Sequence, residues 1–519
     1  MKSSYIILAV TLLAMPTLVS AQTQIAYTAM LHRFRLQSDG HSQVMMIAHY
    51  LTDINGPRLT NSPGYISASE WAVKQLKSWG LQNVHLEPWG DFGPGWSVQK
   101  TYAAVTMPYY HTVVAYPFAW TKGTGGPIKA EVMQIPALDP DVVKSLGDKV
   151  KGKIILPLQT DSILRSDFSP DAVRFSEADL KMHTDKSVIR AEEIKGMVSY
   201  LSQLKRAIVL LQEQGAVALL NMSSGDRDGT INNSLWFSGK KNVTPGLPTL
   251  GISSEDYLAI QRSLQQGAKL LMELDVQTGF SIADQIAYNV IGEIPGTDPG
   301  LKKEMVMIGA HLDSWHTSTG ATDNAAGCSV MMEVVRMFKS LNVQPKRTIR
   351  IALWSGEEQG LLGSHGYVKK HFADINSMQQ LEEYNEISAY FNLDNGTGSI
   401  RGLYLEGNES VRSVFEEWIS PLKNDAVTRL SPGREGSTDH VSFDAVGIPA
   451  FEFIQDPIDY ETRTHHTNMD NYDHLMPDDL KQASMVVAWF VYNAAMRSDK
   501  LPRKALPGSG PWLFDAFKP

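Results

Sequence analysis

A chain of 519 residues is too long for one ordinary hydrophobic core, so two domains are expected. Its 43% hydrophobic and 20% charged content is that of a globular protein, and a net charge of -9 with no basic block excludes nucleic acid as a natural partner. The single cysteine, Cys328, excludes an internal disulfide.

The N-terminus reads as a targeting segment. Lys2 supplies the positive end, Tyr5 to Leu13 is apolar apart from Thr11, and Val19-Ser20-Ala21 offers small residues for cleavage. The run is too short to cross a bilayer with margin. Residues 1–21 are therefore expected to be a signal peptide and the product to be exported, periplasmic or extracellular; whether the segment is cleaved stays open. Ser67 to Trp79 is a helix with Trp71, Leu76 and Trp79 on one side, ended by Gly80, and Leu81 to Leu86 is a strand.

From about Gly123 to Phe280 the pattern changes. Val150 to Leu156 and Gly215 to Leu220 are strands, Ile208 to Gln214 finishes a helix, and Leu247 to Ile252 leads into a helix through Leu264. Leu164 to Arg206 is charged and mostly helical. No catalytic constellation falls in this stretch, which reads as an inserted module. From Ile282 strands alternate with helices. Glu304 to Gly309, Arg347 to Trp354, Ile387 to Leu393 and Pro449 to Ile454 are the strands. Ala325 to Leu341, Leu361 to His371 and Asp478 to Met496 are the helices. That alternation predicts an α/β fold, with a mostly parallel central sheet flanked by helices. The proline-bearing tail from Leu501 is irregular.

Six residues in this second half carry the chemistry: His311, Asp323, Glu357, Glu358, Asp394 and His466. His311, the Glu357-Glu358 pair and Asp394 each end or follow a predicted strand, and Asp323 opens the Ala325 helix. In open α/β sheets ligands bind beyond the carboxyl ends of the strands, so residues far apart in sequence can converge there. Asp313, two residues from His311 and facing the same way in extended chain, is placed to hold the ring N–H of a metal-bound histidine. Each residue alone also has a plain reading: a loop His, a helix N-cap, solvated acids. Two adjacent carboxylates repel unless a cation is present, which favours one ligand and one base. Cys328 reads as a small buried side chain, and Arg434 and Glu435 as surface loop charges. Asp439 and His440 are candidates for site support.

The joint pattern resembles the co-catalytic zinc exopeptidases, the family of bacterial leucyl aminopeptidases and glutamate carboxypeptidases, and within it the plasma glutamate carboxypeptidases. The resemblance rests on Gly309-Ala310-His311-Leu312-Asp313-Ser314, Gly320-Ala321-Thr322-Asp323-Asn324-Ala325-Ala326-Gly327 and Trp354-Ser355-Gly356-Glu357-Glu358-Gln359-Gly360-Leu361-Leu362-Gly363-Ser364. Asn392-Leu393-Asp394, Ser437-Thr438-Asp439-His440, His466-Thr467 and the earlier Gly56-Pro57-Arg58-Leu59 also fit. It implies two zinc ions per chain, with His311 and Asp394 on one, Glu358 and His466 on the other, and Asp323 bridging. It implies Glu357 as general base, with Asp313 and His465 as further catalytic residues. His465 is a departure, because many relatives carry tyrosine there. A cis peptide between Asp323 and Asn324 is also implied.

The resemblance makes 22–122 and 281–500 two parts of one peptidase domain, and 123–280 a β-rich protease-associated domain that folds separately and shapes access. All the expected ligands lie outside that module. Short peptides are the expected partners, with no stable membrane insertion after cleavage; a homodimer is left open. The expected activity is aminopeptidase or dipeptidase, with carboxypeptidase as the alternative. A glutaminyl cyclase would alter the ligand pattern, and an inactive receptor-like binding protein would have lost ligands or base; neither change is present.

Overall fold

Alternate residues of the strand Met305–His311 face two different cores: Val306, Ile308 and Ala310 pack into one, Met305 and Met307 into the other. A strand apolar on both faces belongs inside a sheet covered on both sides. The computed structural model describes residues 29–160, 168–182, 191–222, 227–234, 246–281 and 285–512. The segment 1–21 expected to be a signal peptide, and Ile282, lie outside the described residues.

Among the described residues the peptidase-like part is an eight-stranded sheet. Its order is Gln82–Asp91, Ile286–Ile294, Thr348–Trp354, Met305–His311, Ile387–Asn392, Ala450–Gln455, Ile400–Tyr404, Arg429–Ser431. The four strands from Thr348–Trp354 to Ala450–Gln455 run parallel, whereas Gln82–Asp91, Ile286–Ile294 and Ile400–Tyr404 join antiparallel. The sheet is thus parallel in its centre and mixed towards its edges. Parallel neighbours need a crossover, usually a helix. The two strands that flank the module are joined through it instead, and so can pair antiparallel. The helix Ala326–Ser340 is buried from Ala326 to Phe338, because residues 29–41, Val44–His49 and Pro477–Met496 cover its outer side. Its one buried ion pair, Glu333 with Arg336 at 2.6 Å, is completed by backbone at His41 and Gln43. The opposite face of the sheet carries the helix Leu362–His371 and Phe443. The helix expected to begin at Ser67 begins at Pro63, with the Ser62 hydroxyl accepting from Tyr65 N, an N-cap followed by proline at the first turn.

The second eight-stranded sheet is ordered His111–Thr112, Gly95–Met107, Leu271–Ser281, Ile128–Ile135, Ile154–Pro157, Ala218–Met222, Thr249–Ile252, Ala115–Pro117. Helix Ser254–Gln265 covers one face, and helices Pro140–Leu146 and Ala191–Glu213 the other. Gly95–Met107 pairs antiparallel with Leu271–Ser281, so this sheet draws on chain upstream of Gly123. Burial along Gly95–Met107 does not alternate cleanly, which hid the strand from a period-two reading. Where the two sheets meet, Trp96, Trp120, Phe92 and Leu59 pack against Trp315, four residues beyond His311.

Candidate metal centre

Parallel pairing aligns the ends of the central strands. His311 lies opposite Trp354, Gly309 opposite Asn392, and Asn392 opposite Glu452. The residues that follow, Glu357, Glu358 and Asp394, therefore leave the sheet side by side. Asp323 arrives from the turn Ala321–Ala325, which puts non-helical backbone at Asp323 and Asn324 before the helix at Ala326. The Asp323–Asn324 peptide is cis. Close packing keeps the turn against the strand ends. A Cβ at Gly327 would come within 2.2 Å of Leu393 O, and Asn324 donates to that same carbonyl while accepting from Gly327 N.

The side chains converge. His311 Nε2 lies 3.1 Å from Asp323 Oδ1 and 3.1 Å from Asp394 Oδ1. His466 Nε2 lies 3.1 Å from Asp323 Oδ2 and 2.9 Å from Glu358 Oε2. One carboxylate thus offers its two oxygens to two separate groups. Glu357 stands beside the first of these, with Oε2 3.9 Å from His311 Nε2. His465 packs against His466 with ring centroids 3.9 Å apart and the rings tilted by 39°, and its Nε2 is 3.9 Å from Asp323 Oδ2. His311 Nδ1 contacts the backbone carbonyl of Asp313 at 2.9 Å, with the Asp313 carboxylate at 3.7 Å. The ring hydrogen bond thus goes to the main chain. The Asp313 carboxylate accepts instead from the Thr60 hydroxyl and from Glu357 N.

Four carboxylates crowd two imidazoles, with His311, Asp323, Glu357 and Glu358 buried, an anionic excess that calls for cations. Glu358 Oε1 is buried with no hydrogen-bond partner, and the buried Asp323 Oδ2 faces the His466 ring nitrogen. A cavity of about 10 Å³ beside Asp323, Glu358 and His466 has room for an ion but not for an organic group. Donors in one tetrahedral zinc shell, each ~2.0–2.1 Å from the ion, lie ~3.3 Å apart, close to the spacings found. Residue groups able to hold a metal are His311 with Glu357 and Asp394, His311 with Asp323 and Glu358, and Asp323 with His465 and His466. Burial drives the Glu357 carboxyl well above its usual range, against the His311 imidazole and with Asp394, Asp439 and Glu358. It also pushes Glu358 up to about 7.

Three supports are not evident in the sequence reading. Asp470 is buried, and accepts from Thr322 N at 2.6 Å, from the Thr322 hydroxyl and from Asp323 N. Glu452 accepts from Asp394 N at 2.8 Å and from the Asn392 amide. Its place in the apolar strand Ala450-Phe451-Glu452-Phe453-Ile454 is the signal that could have found it. Arg58, from the Gly56-Pro57-Arg58-Leu59 motif, is fully buried and donates to the carbonyls of Leu312, Leu51 and Gly320, bracing both flanks of the site. Behind Glu452, the buried His440 sits 3.2 Å from Glu406 and 2.9 Å from Glu435 O. Burial opposes its charge, yet Glu406 and Glu452 push it up to about 9. Glu435, expected as a surface charge, is buried, because its carboxylate accepts from Gly436 N and the Ser437 hydroxyl. Asp439 is fully buried, and its charge helps to raise the Glu357 carboxyl. Cys328 is buried, with Sγ donating to His311 O at 3.0 Å.

A mixed α/β sheet with such a donor cluster beyond its parallel strand ends defines a metallo-exopeptidase, a peptide hydrolase. The pattern described as Peptidase family M28 matches residues 289–491. Aminopeptidase YwaD of Bacillus subtilis (strain 168) is 31% identical over 335 residues, which cover 62% of this chain and 67% of that protein. The chain belongs to peptidase family M28. Carboxypeptidase Q of Homo sapiens is 25% identical over 454 residues, 87% of this chain and 85% of that protein. The crystal structure of a peptidase M28 precursor from Shewanella amazonensis SB2B shares the fold with a TM-score of 0.67 at 25% identity, covering 93% of this chain and 99% of that one. A zinc aminopeptidase from Bacillus subtilis shares the fold with a TM-score of 0.55 at 22% identity, covering 88% and 95%.

Proposed function

We propose that this chain is an exported exopeptidase with two zinc ions that releases one terminal residue from short peptides, acting as an aminopeptidase or dipeptidase. The observation that carries the reading is Asp323, with one oxygen towards His311 and the other towards His466. In this reading His311 and Asp394 would hold one zinc and Glu358 and His466 the other, with Asp323 able to serve either. The bound pair supplies a water of lowered pKa and polarises the scissile carbonyl.

Glu357 is the general base. Its Oε2 takes a proton as the water oxygen bonds to the amide carbon, and returns it to the departing nitrogen as the C–N bond breaks. Burial, which raises this carboxyl, suits a group that must both accept and release a proton near neutrality. Asp313 keeps the His311 ring in place through its carbonyl, and its carboxylate fixes the backbone N–H of Glu357. His465, partly exposed beside Asp323, is placed to donate to the carbonyl oxygen as negative charge develops. Asp439 and His440 support the site from behind. The second sheet is read as a protease-associated domain that shapes access, because it reaches the site's rim where His316 Nε2 contacts Pro117 O at 2.7 Å.

Carboxypeptidase action is the second reading, supported by the extent of the likeness to carboxypeptidase Q. The test is a panel of dipeptides, amino-blocked peptides and carboxy-blocked peptides, assayed with and without a chelator. Cleavage that a chelator abolishes and that needs a free amino terminus is the expected result. Cleavage of amino-blocked peptides would move the reading to a carboxypeptidase, and chelator-insensitive cleavage would end the zinc reading.

A further inference from the structure

The loop that carries His465 and His466 is gripped on both sides by the inserted module. Before the histidines, the Asp171 carboxylate meets Arg463 Nη2 at 2.6 Å, and Asp171 O accepts from the Thr462 hydroxyl at 2.7 Å. After them, Asn232 bridges Thr467, Asn468 N donates to Ile231 O, and Ile231 N donates to Asn468 Oδ1 at 2.7 Å. Arg227 ties the two grips together, with Nη2 2.6 Å from the other oxygen of Asp171. Between them His466 holds a φ of +61°, in the left-handed region that a side chain with a Cβ seldom occupies. Such a conformation persists where its surroundings over-determine it.

We propose that the module is a clamp on the zinc centre, with Asp171 a positioning residue that holds His466 in its ligating conformation. The proposal rests on the reading of His466 as a zinc ligand. It makes the module more than a lid, because part of the metal site's geometry is enforced by loops of the inserted segment, outside the strands that carry the other donors. Its effect is local to one half of the site: His311 and Asp394 stand on strand ends that the module's grips do not touch.

The experiment compares four variants of the full chain, Asp171→Ala, Asp171→Glu, Leu258→Ala and His466→Ala. Zinc affinity is measured by competition with a chelating dye, alongside melting temperature, kcat and KM. Leu258 lies in the module's own core and is none of the gripping residues, so it controls for general loss of module stability. Asp171→Ala is expected to weaken the second zinc equivalent at least fivefold and to lower kcat with KM little changed. Asp171→Glu should recover most of both. Leu258→Ala should lower the melting temperature while leaving zinc affinity intact. An Asp171→Ala protein with wild-type zinc affinity and kcat overturns the clamp, as does a Leu258→Ala protein that loses zinc equally. His466→Ala should bind one equivalent only. If it keeps both, the His466 reading falls and the clamp with it; if it loses one while Asp171→Ala loses none, the clamp alone falls.

Discussion

The two ends of the donor cluster are built differently. His311 and Asp394 leave adjacent parallel strands whose residues are almost fully buried, and His311 itself is 1% exposed. His466 comes from a loop, is 26% exposed, and holds a backbone conformation that only its neighbours enforce. Similar donor atoms are thus held in one case by a hydrophobic sheet and in the other by polar contacts across a module boundary. A sheet end is rigid because moving it would break a packed core. A loop end is only as rigid as the contacts that grip it.

The largest effect should fall on both ends alike. Glu357→Gln should lower kcat by ~10²–10⁴, the usual worth of general acid–base transfer, while zinc content stays at the wild-type level. Loss of zinc in this variant would make Glu357 part of one end rather than a proton carrier between them.

Next in size is damage to the sheet. Ile308 is fully buried in the strand that delivers His311. Ile308→Ala should cost ~2–5 kcal/mol of stability, read as a lower denaturation midpoint, with zinc still bound while the protein is folded. A variant that lost zinc without losing stability would show that the strand end is not held by its core.

A smaller effect should follow from loosening the turn that the loop supports. Asp470→Asn weakens the acceptor shared by Thr322 and Asp323. Zinc affinity should fall ~10–100-fold, as when groups that orient ligands are changed elsewhere. An unchanged affinity would place the rigidity of Asp323 in Asn324 and the helix behind it.

The smallest effect lies away from both ends, at the sheet's edge. Glu87 pairs with His371 and Lys370, each at 2.6 Å, and despite its burial these partners lower its carboxyl to about 2. A depressed carboxylate contributes stability that is full above its ordinary value and is lost as pH falls towards about 2. Glu87→Gln should therefore flatten the acid side of the melting-temperature profile without altering zinc binding or kcat at neutral pH. An unchanged acid slope would show that the pair contributes nothing measurable, as many half-exposed ion pairs do.

Legibility followed the same division. The four central parallel strands could be read because buried parallel strands are continuous apolar runs, and motif residues sit where those runs stop, whereas the short strands Ile400–Tyr404 and Arg429–Ser431 were not expected. Glu452 could have been read as a lone acid in such a run. Asp470 could not, since Thr467-Asn468-Met469-Asp470 has no pattern that separates a buried acceptor from a surface acid. Gly95–Met107 escaped because its residues alternate between the two sheets' cores and solvent without a period. The grips on the His466 loop join residues nearly 300 positions apart, and local sequence carries no trace of them.

The sequence by itself determined the donor set, the glycine at 327 that lets Asn324 approach the strand ends, and the parallel centre that gathers the donors. These depend on residue type and hydrophobic period, which are local properties. Only the tertiary structure decided that Asp323 divides its oxygens between two histidines, that Asp313 holds His311 by its carbonyl, and that the module grips the loop of His466. Those are matters of distance and direction between segments remote in sequence, and they exist only once the two cores have packed.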